Sequence, residues 1–129
     1  MSIKKVLFLT HIFIVDDDES VRRSMKRLMV SAGYRAEVFS SAEEFLDCVP
    51  VDQEGIIILD LRMSGMDGFQ MQEQLNKLYH QIKIIFITGF GTAPDRQRAL
   101  DAGAIGFIQK PFDEQTLLHM IQATTAGEL

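Results

Sequence analysis

The sequence predicts an α/β protein built on one parallel sheet with helices on both faces. Three observations lead there. Five short runs rich in β-branched and aromatic residues alternate with five stretches of helical periodicity. Two of the runs, residues 56–59 and 82–87, are apolar almost throughout, as in strands covered on both faces. Strict strand–helix alternation, finally, calls for crossover connections between parallel strands.

Residues 12–15 form the first strand, which ends in the carboxylates Asp16, Asp17 and Asp18. A helix over 19–32 follows, with Val21, Met25, Leu28, Met29 and Ala32 on one face and Arg22, Arg23, Lys26 and Arg27 on the rest. The methionines read as core filling. Asp18 and Glu19 suit the positive N-terminal end of this helix, and Gly33 suits its stop. Residues 35–39 are a short strand. Ser41 and Glu44 spell a capping box that opens a helix to about residue 49, in which Cys48 is expected to be buried. The strand at 56–59 ends at Asp60. A loop over 61–68 contains Ser64, Gly65, Asp67 and Gly68. The next helix, 69–79, carries Met71, Leu75, Leu78 and Tyr79 as its apolar stripe. The strand at 82–87 ends at Thr88, and residues 89–92 make a glycine-containing loop. Pro94 fits an early helical position in a helix that runs to about 102 and stops at Gly103. The fifth strand, 105–109, ends at Lys110-Pro111. Asp113 caps a last helix to about 124, with Leu117, Leu118 and Ile121 inward.

Composition bounds the function. The 129 residues carry a net charge of −5, with 47% hydrophobic and 24% charged residues. That is one domain able to hold a core without disulfides or metal staples, and it excludes disorder. The single cysteine cannot close an intramolecular bridge, and His11, His80 and His119 lack zinc-ligand spacing. The acidic balance argues against binding of nucleic acid or an anionic membrane by the chain as a whole. Lys4 and Lys5 before an apolar run imitate a signal peptide. However, Thr10 and His11 interrupt the run, the three aspartates end it, and no small-residue cleavage site follows. Residues 1–11 are therefore read as an extension of the domain at 12–126, with 6–9 strand-like. A cytoplasmic location follows from this reading.

Ligands of parallel α/β sheets bind outside the carboxyl ends of the strands. Strand one delivers Asp16 and Asp17 there, strand three Asp60, strand four Thr88 and strand five Lys110; strand two delivers Ser40 and Ser41, which read as helix caps. Three clustered carboxylates repel one another unless a cation compensates. An all-oxygen set suits Mg²⁺, with Mn²⁺ as the alternative. A hard cation, an ammonium and a hydroxyl around a carboxylate are what phosphoryl transfer requires.

These residues carry a family resemblance. The segments FIVDDDES, IILDLRMSGMDG, IIFITGFG and AGAIGFIQKPF follow one another as in the receiver domains of two-component response regulators, and the chain resembles the FixJ/NarL type in particular. The resemblance implies a flavodoxin-like sheet of order 2-1-3-4-5. It also implies that Asp60 accepts a phosphoryl group from a sensor histidine kinase. Asp17, Asp60 and the backbone carbonyl of Arg62 would ligate Mg²⁺, with Asp16 acting through water. Lys110 would pair with Asp60 or a phosphate oxygen, Thr88 would report the phosphoryl group, and Phe107 would be an aromatic switch. The residues at 62 and 90 would modulate dephosphorylation. A receiver is not an enzyme of the usual kind, although it promotes its own phosphorylation and dephosphorylation. The basic face of the first helix would serve docking to the kinase, and the Lys110-Pro111 bond would be cis. Phosphorylation-dependent homodimerisation and a C-terminal DNA-binding output domain in a longer parent are further implications; direct nucleic-acid binding by this chain is not.

Departures from the family pattern set further expectations. Ser64 stands where the family usually has proline, which points to a looser loop. Arg62 is expected to fold over the acidic cluster when metal is absent. The alternative within the family is a stand-alone receiver acting by protein–protein contact, and two further readings come from other classes. An aspartyl-nucleophile phosphatase would want an acid where Arg62 stands. A non-phosphorylated flavodoxin-like module would want a Gly-rich turn where Asp16 to Ser20 stand.

Overall fold

In the computed structural model, which describes residues 10–125, five parallel strands lie side by side in the order β2-β1-β3-β4-β5. They are β1 (His11–Val15), β2 (Arg35–Phe39), β3 (Gly55–Leu59), β4 (Ile82–Thr88) and β5 (Gly106–Gln109). The helices are α1 (Glu19–Ser31), α2 (Ala42–Cys48), α3 (Gly68–Leu78), α4 (Ala93–Asp101) and α5 (Glu114–Thr125). The expected sheet order and helix count are what the structure has. The strand-like residues 6–9 and most of the proposed N-terminal extension lie outside the described residues.

Strand periodicity divides the core into two layers. Phe13, Val15, Ile57, Leu59, Ile84 and Phe86 point to one face, where Ala42 and Phe45 of α2, Met71 and Leu75 of α3 and Ala99 of α4 cover them. Ile12, Ile14, Ile56, Ile58, Ile85, Ile87 and Ile108 point to the other, under Met25 and Met29 of α1 and Leu117 and Ile121 of α5. Both faces are buried, which is why the central strands have no polar alternation. The chain leaves β1 for β2 on one side and returns to β3 on the other, so the carboxyl ends of β1 and β3 flank the switch point.

The helix ends are fixed locally. Asp18 caps α1 by accepting from the Ser20 and Val21 N–H groups. Ser41 caps α2, but Glu44 accepts from Ser40 Oγ, so the expected capping box is only half formed. Complete boxes open α3 (Asp67, Gln70) and α4 (Thr92, Asp95). Two burial expectations are corrected. Cys48 is exposed, because α2 turns Ala42, Phe45 and Val49 inward. Leu78 is 47% exposed, and Gln72 occupies the core-facing position instead, 2% exposed. Its amide is satisfied by donating to the Ala99 carbonyl at 2.9 Å. No helix among the described residues is long and apolar enough to cross a membrane.

Gly68 shapes the loop after β3. Its N–H donates to the Leu61 carbonyl at 2.9 Å. A Cβ there would lie 2.7 Å from the Asp60 carbonyl oxygen and 2.8 Å from Leu61 Cα. These are backbone atoms that cannot rotate away. Gly68→Ala is expected to destabilise by about 1–3 kcal/mol despite alanine's better helix propensity, measured as a lower urea midpoint.

Candidate phosphoryl-acceptor and metal site

Register assembles the site. Val15 pairs with Leu59 across β1 and β3, and Leu59 pairs with Phe86 across β3 and β4. Residues 16 and 60 therefore emerge side by side, with Thr88 and Lys110 beyond them. The structure brings Asp16, Asp17 and Asp60 together: one carboxylate oxygen from each lies within 4.8 Å of the others. Asp16 is 4% exposed and Asp60 9%, whereas Asp17 faces solvent.

Asp16 is fully engaged. Its Oδ1 accepts from the Asp18 N–H at 2.9 Å, and its Oδ2 accepts from Lys110 Nζ at 3.2 Å. Its carbonyl accepts from Arg22 at 2.8 Å. The ammonium of Lys110 thus pairs with Asp16, where the resemblance points to Asp60 or a phosphate oxygen. Asp60 is nearly unengaged: among the described residues, the only hydrogen bond to its carboxylate is a long one, 3.4 Å, from the Arg62 N–H. Burial, reinforced by the negative charge of Asp16, pushes the Asp60 carboxyl up to about 6 against the pull of Lys110. Three carboxylates meet here with the one ammonium of Lys110 on Asp16, so the cluster carries more negative than positive charge. With only oxygen donors present, it fits a hard divalent ion.

The loop departures behave differently from expectation. The Arg62 side chain turns away from the acidic cluster and pairs with Asp95 Oδ2 at 3.0 Å. The expected folding over the cluster is not seen: the guanidinium goes instead to Asp95, whose carboxyl is held below the usual range, chiefly by the Thr92 N–H and further by Arg62 itself. Ser64, in place of proline, retains an N–H, which reaches Asp17 Oδ2 at 3.4 Å. The loop thereby gains a contact with Asp17 that proline, which has no N–H, could not make.

Thr88 is fully buried; its Oγ1 accepts from the Phe90 N–H at 3.3 Å, and its carbonyl from the Lys110 N–H at 2.8 Å. The Lys110-Pro111 bond is cis. Phe107 packs half-buried against Phe86, with ring centroids 6.1 Å apart. Phe90 is 80% exposed. A Cβ on Gly91 would lie 2.6 Å from Phe107 Cζ and 2.8 Å from Thr88 Cγ2. Glycine at 91 therefore lets this loop close on both side chains. Neither Gly91 nor Asp95 was legible as a site residue, although the capping-box spelling of Thr92 and Asp95 marks the local turn.

Residues 12–122 match the family model of the response regulator receiver domain. The chain is 46% identical over 112 residues to the response regulator protein TodT of Pseudomonas putida, covering 87% of this chain and 49% of that protein. It is 34% identical over 113 residues to the transcriptional regulatory protein FixJ of Bradyrhizobium diazoefficiens, covering 88% and 55% respectively. The solved structure of the response regulator StyR superposes with a TM-score of 0.84 at 44% identity, over 92% of this chain and 60% of that one. The chain spans about half the length of the curated relatives it matches.

Proposed function

The chain belongs to the response regulator receiver domain family, and on that premise we propose that it is a phosphorylation-controlled switch in which Asp60 takes a phosphoryl group from the phosphohistidine of a sensor histidine kinase. The observation that carries this reading is the state of Asp60: a buried carboxylate with one long hydrogen bond, set between two further acids and within the field of Lys110.

In the proposed step, a carboxylate oxygen of Asp60 attacks phosphorus. The new P–O bond forms as the P–N bond breaks, and its electron pair leaves with the imidazole nitrogen. Only the ionised carboxylate attacks; burial and the charge of Asp16 disfavour that form in the metal-free site, and a divalent cation beside Asp60 would favour it. Asp17, Asp60 and the Arg62 carbonyl would hold Mg²⁺, or Mn²⁺, with Asp16 acting through water, and the ion would neutralise charge on the carboxylates and phosphoryl oxygens. Lys110, already poised on Asp16, supplies an ammonium to the transferred group. The Thr88 hydroxyl accepts from Phe90 and keeps its own proton to donate to a phosphoryl oxygen. Drawing Thr88 inward changes the packing it shares with Gly91 and Phe107 and shifts the population of two states of the β4–α4–β5–α5 surface. As the resemblance implies, the residues at 62 and 90 would modulate the lifetime of the acyl phosphate.

Downstream, the reading is phosphorylation-dependent self-association or control of a transcriptional output domain; FixJ and another relative are named as transcriptional regulatory proteins. The receiver unit is assigned to residues 12–126. An aspartyl phosphatase is disfavoured, because the place of its second acid holds Arg62, whose guanidinium is committed to Asp95.

Incubation with acetyl phosphate and Mg²⁺, read by intact mass, tests the proposal. The protein is expected to gain one phosphoryl group, and none when EDTA replaces Mg²⁺. Rapid multiple turnover of para-nitrophenyl phosphate without a stable adduct would favour the phosphatase instead.

A further inference from the structure

α4 is thinly embedded: Ala99 is its one buried residue. Its remaining attachments are polar and differ at its two ends. Towards the C-terminal end, α3 grips it at three points. Gln72 Nε2 donates to the Ala99 carbonyl at 2.9 Å, and Asn76 Nδ2 donates to the Ala102 carbonyl at 2.8 Å. The Arg98 guanidinium lies 4.0 Å from the centroid of the Phe69 ring. At the N-terminal end the situation is sparser. Among the described residues, the only hydrogen bond or ion pair from its first turn to another element is the Arg62–Asp95 pair at 3.0 Å.

This pair is tied to the acceptor. Arg62 lies two residues after Asp60, and its own N–H makes the sole hydrogen bond to the Asp60 carboxylate among the described residues. The Arg62 side chain is 51% exposed and that of Asp95 17%, so solvent reaches the pair from the arginine side and keeps it weak. Asp95 Oδ2 also accepts from the Thr92 N–H at 3.1 Å, and that bond keeps the carboxylate satisfied when the arginine leaves. A phosphoryl group is a stronger competitor. It brings about −2 charge and three acceptor oxygens, and it matches the fork of a guanidinium better than a half-engaged carboxylate does.

We propose that Asp95 is a positioning residue that holds Arg62 clear of the acceptor cluster, and that a phosphoryl group on Asp60 takes this guanidinium from Asp95, unlatching the first turn of α4 about its anchored C-terminal end. The inference rests on the reading of Asp60 as phosphoryl acceptor. It adds a second line from Asp60 to α4, separate from the one through Thr88 and Phe107. It uses residues 62 and 95, which are 33 positions apart and joined only by this contact.

Amide hydrogen exchange tests it, with beryllofluoride and Mg²⁺ as the phosphoryl mimic. The readout is the amides of Asp95, Arg96 and Gln97 compared with those nearer Ala102. Arg62→Ala, Asp95→Asn and the double variant are compared with the wild type; asparagine keeps an oxygen for the Thr92 N–H. Without the mimic, each single variant is expected to raise first-turn exchange about two- to five-fold, the range of a weak exposed pair, and the double variant no further. With the mimic, wild-type exchange rises to the same level, the variants gain nothing more, and the Ala102 end stays protected. Additive effects of the two substitutions would overturn the proposal. So would unchanged wild-type first-turn exchange when the mimic shifts the Asp60 and Thr88 amides. If the mimic leaves those amides unmoved, the acceptor reading itself fails and the latch fails with it.

Discussion

Asp60→Asn is expected to stabilise the metal-free domain at about pH 7.5, by about 1–3 kcal/mol, while abolishing phosphoryl uptake. The Asp60 carboxyl is raised from 3.8 to about 6 in the folded protein by burial and the neighbouring acids. A folded value above the unfolded one means that folding takes up a proton between the two. The associated stability is fully present below about pH 4 and is lost as pH rises through about 6. At neutral pH the ionised carboxylate therefore costs the fold up to about 3 kcal/mol, a cost that asparagine removes. The gain should shrink as pH falls towards 4.5, where Asp60 is already protonated. Adding Mg²⁺ should stabilise the wild type by mass action and the variant much less. Denaturation midpoints in EDTA across this pH range check the sign. A variant less stable than the wild type at neutral pH would contradict the charge crowding on which the metal reading stands.

Lys110→Ala is expected to behave in the opposite way on stability while also losing phosphoryl uptake. Asp16 is 4% exposed and, among the described residues, has Lys110 as its only ion-pair partner. Truncation leaves a buried carboxylate with one backbone hydrogen bond. It also removes the cation that opposes the rise of Asp60. A loss of about 1–3 kcal/mol is expected, below the range for a fully buried pair because the lysine side chain is 27% exposed. The rate of modification by acetyl phosphate should fall about 10²-fold, the scale of losing one preorganised charge at a transferring group. The two variants thus share a loss of phosphorylation but differ in the sign of their stability change. Failure of transfer through general misfolding would not produce that pattern.

The parts of this architecture legible in the sequence are those governed by short-range pattern. Residues 56–59 and 82–87 are apolar because helices cover both sides of the sheet, and the run of side chains shows it directly. Asp16, Asp17, Asp60, Thr88 and Lys110 could be placed on one rim because each stands one or two positions past the last apolar residue of a strand, and parallel strands end together. What could not be read were partners set by side-chain direction between distant segments. Arg62 has several acids within reach of its length, and nothing local selects Asp95 over the cluster. Gln72 sits where a hydrophobic residue is expected, and its burial makes sense only once Ala99 supplies an acceptor. Cys48 and Val49 compete for one inward position at the end of a short helix, and a single step of helical rotation decides between them. Gly68 and Gly91 read as generic loop glycines. Their contacts with the Asp60 backbone and with Phe107 exist only in three dimensions.

The central claim is that the phosphoryl group resides on Asp60. Reduction of the phosphorylated protein with borohydride, followed by peptide mapping, tests it most directly, because an acyl phosphate on aspartate is converted to homoserine. The account predicts homoserine at position 60 in the wild type and none in Asp60→Asn. Homoserine at another aspartate, or undiminished phosphate in the variant, would contradict it.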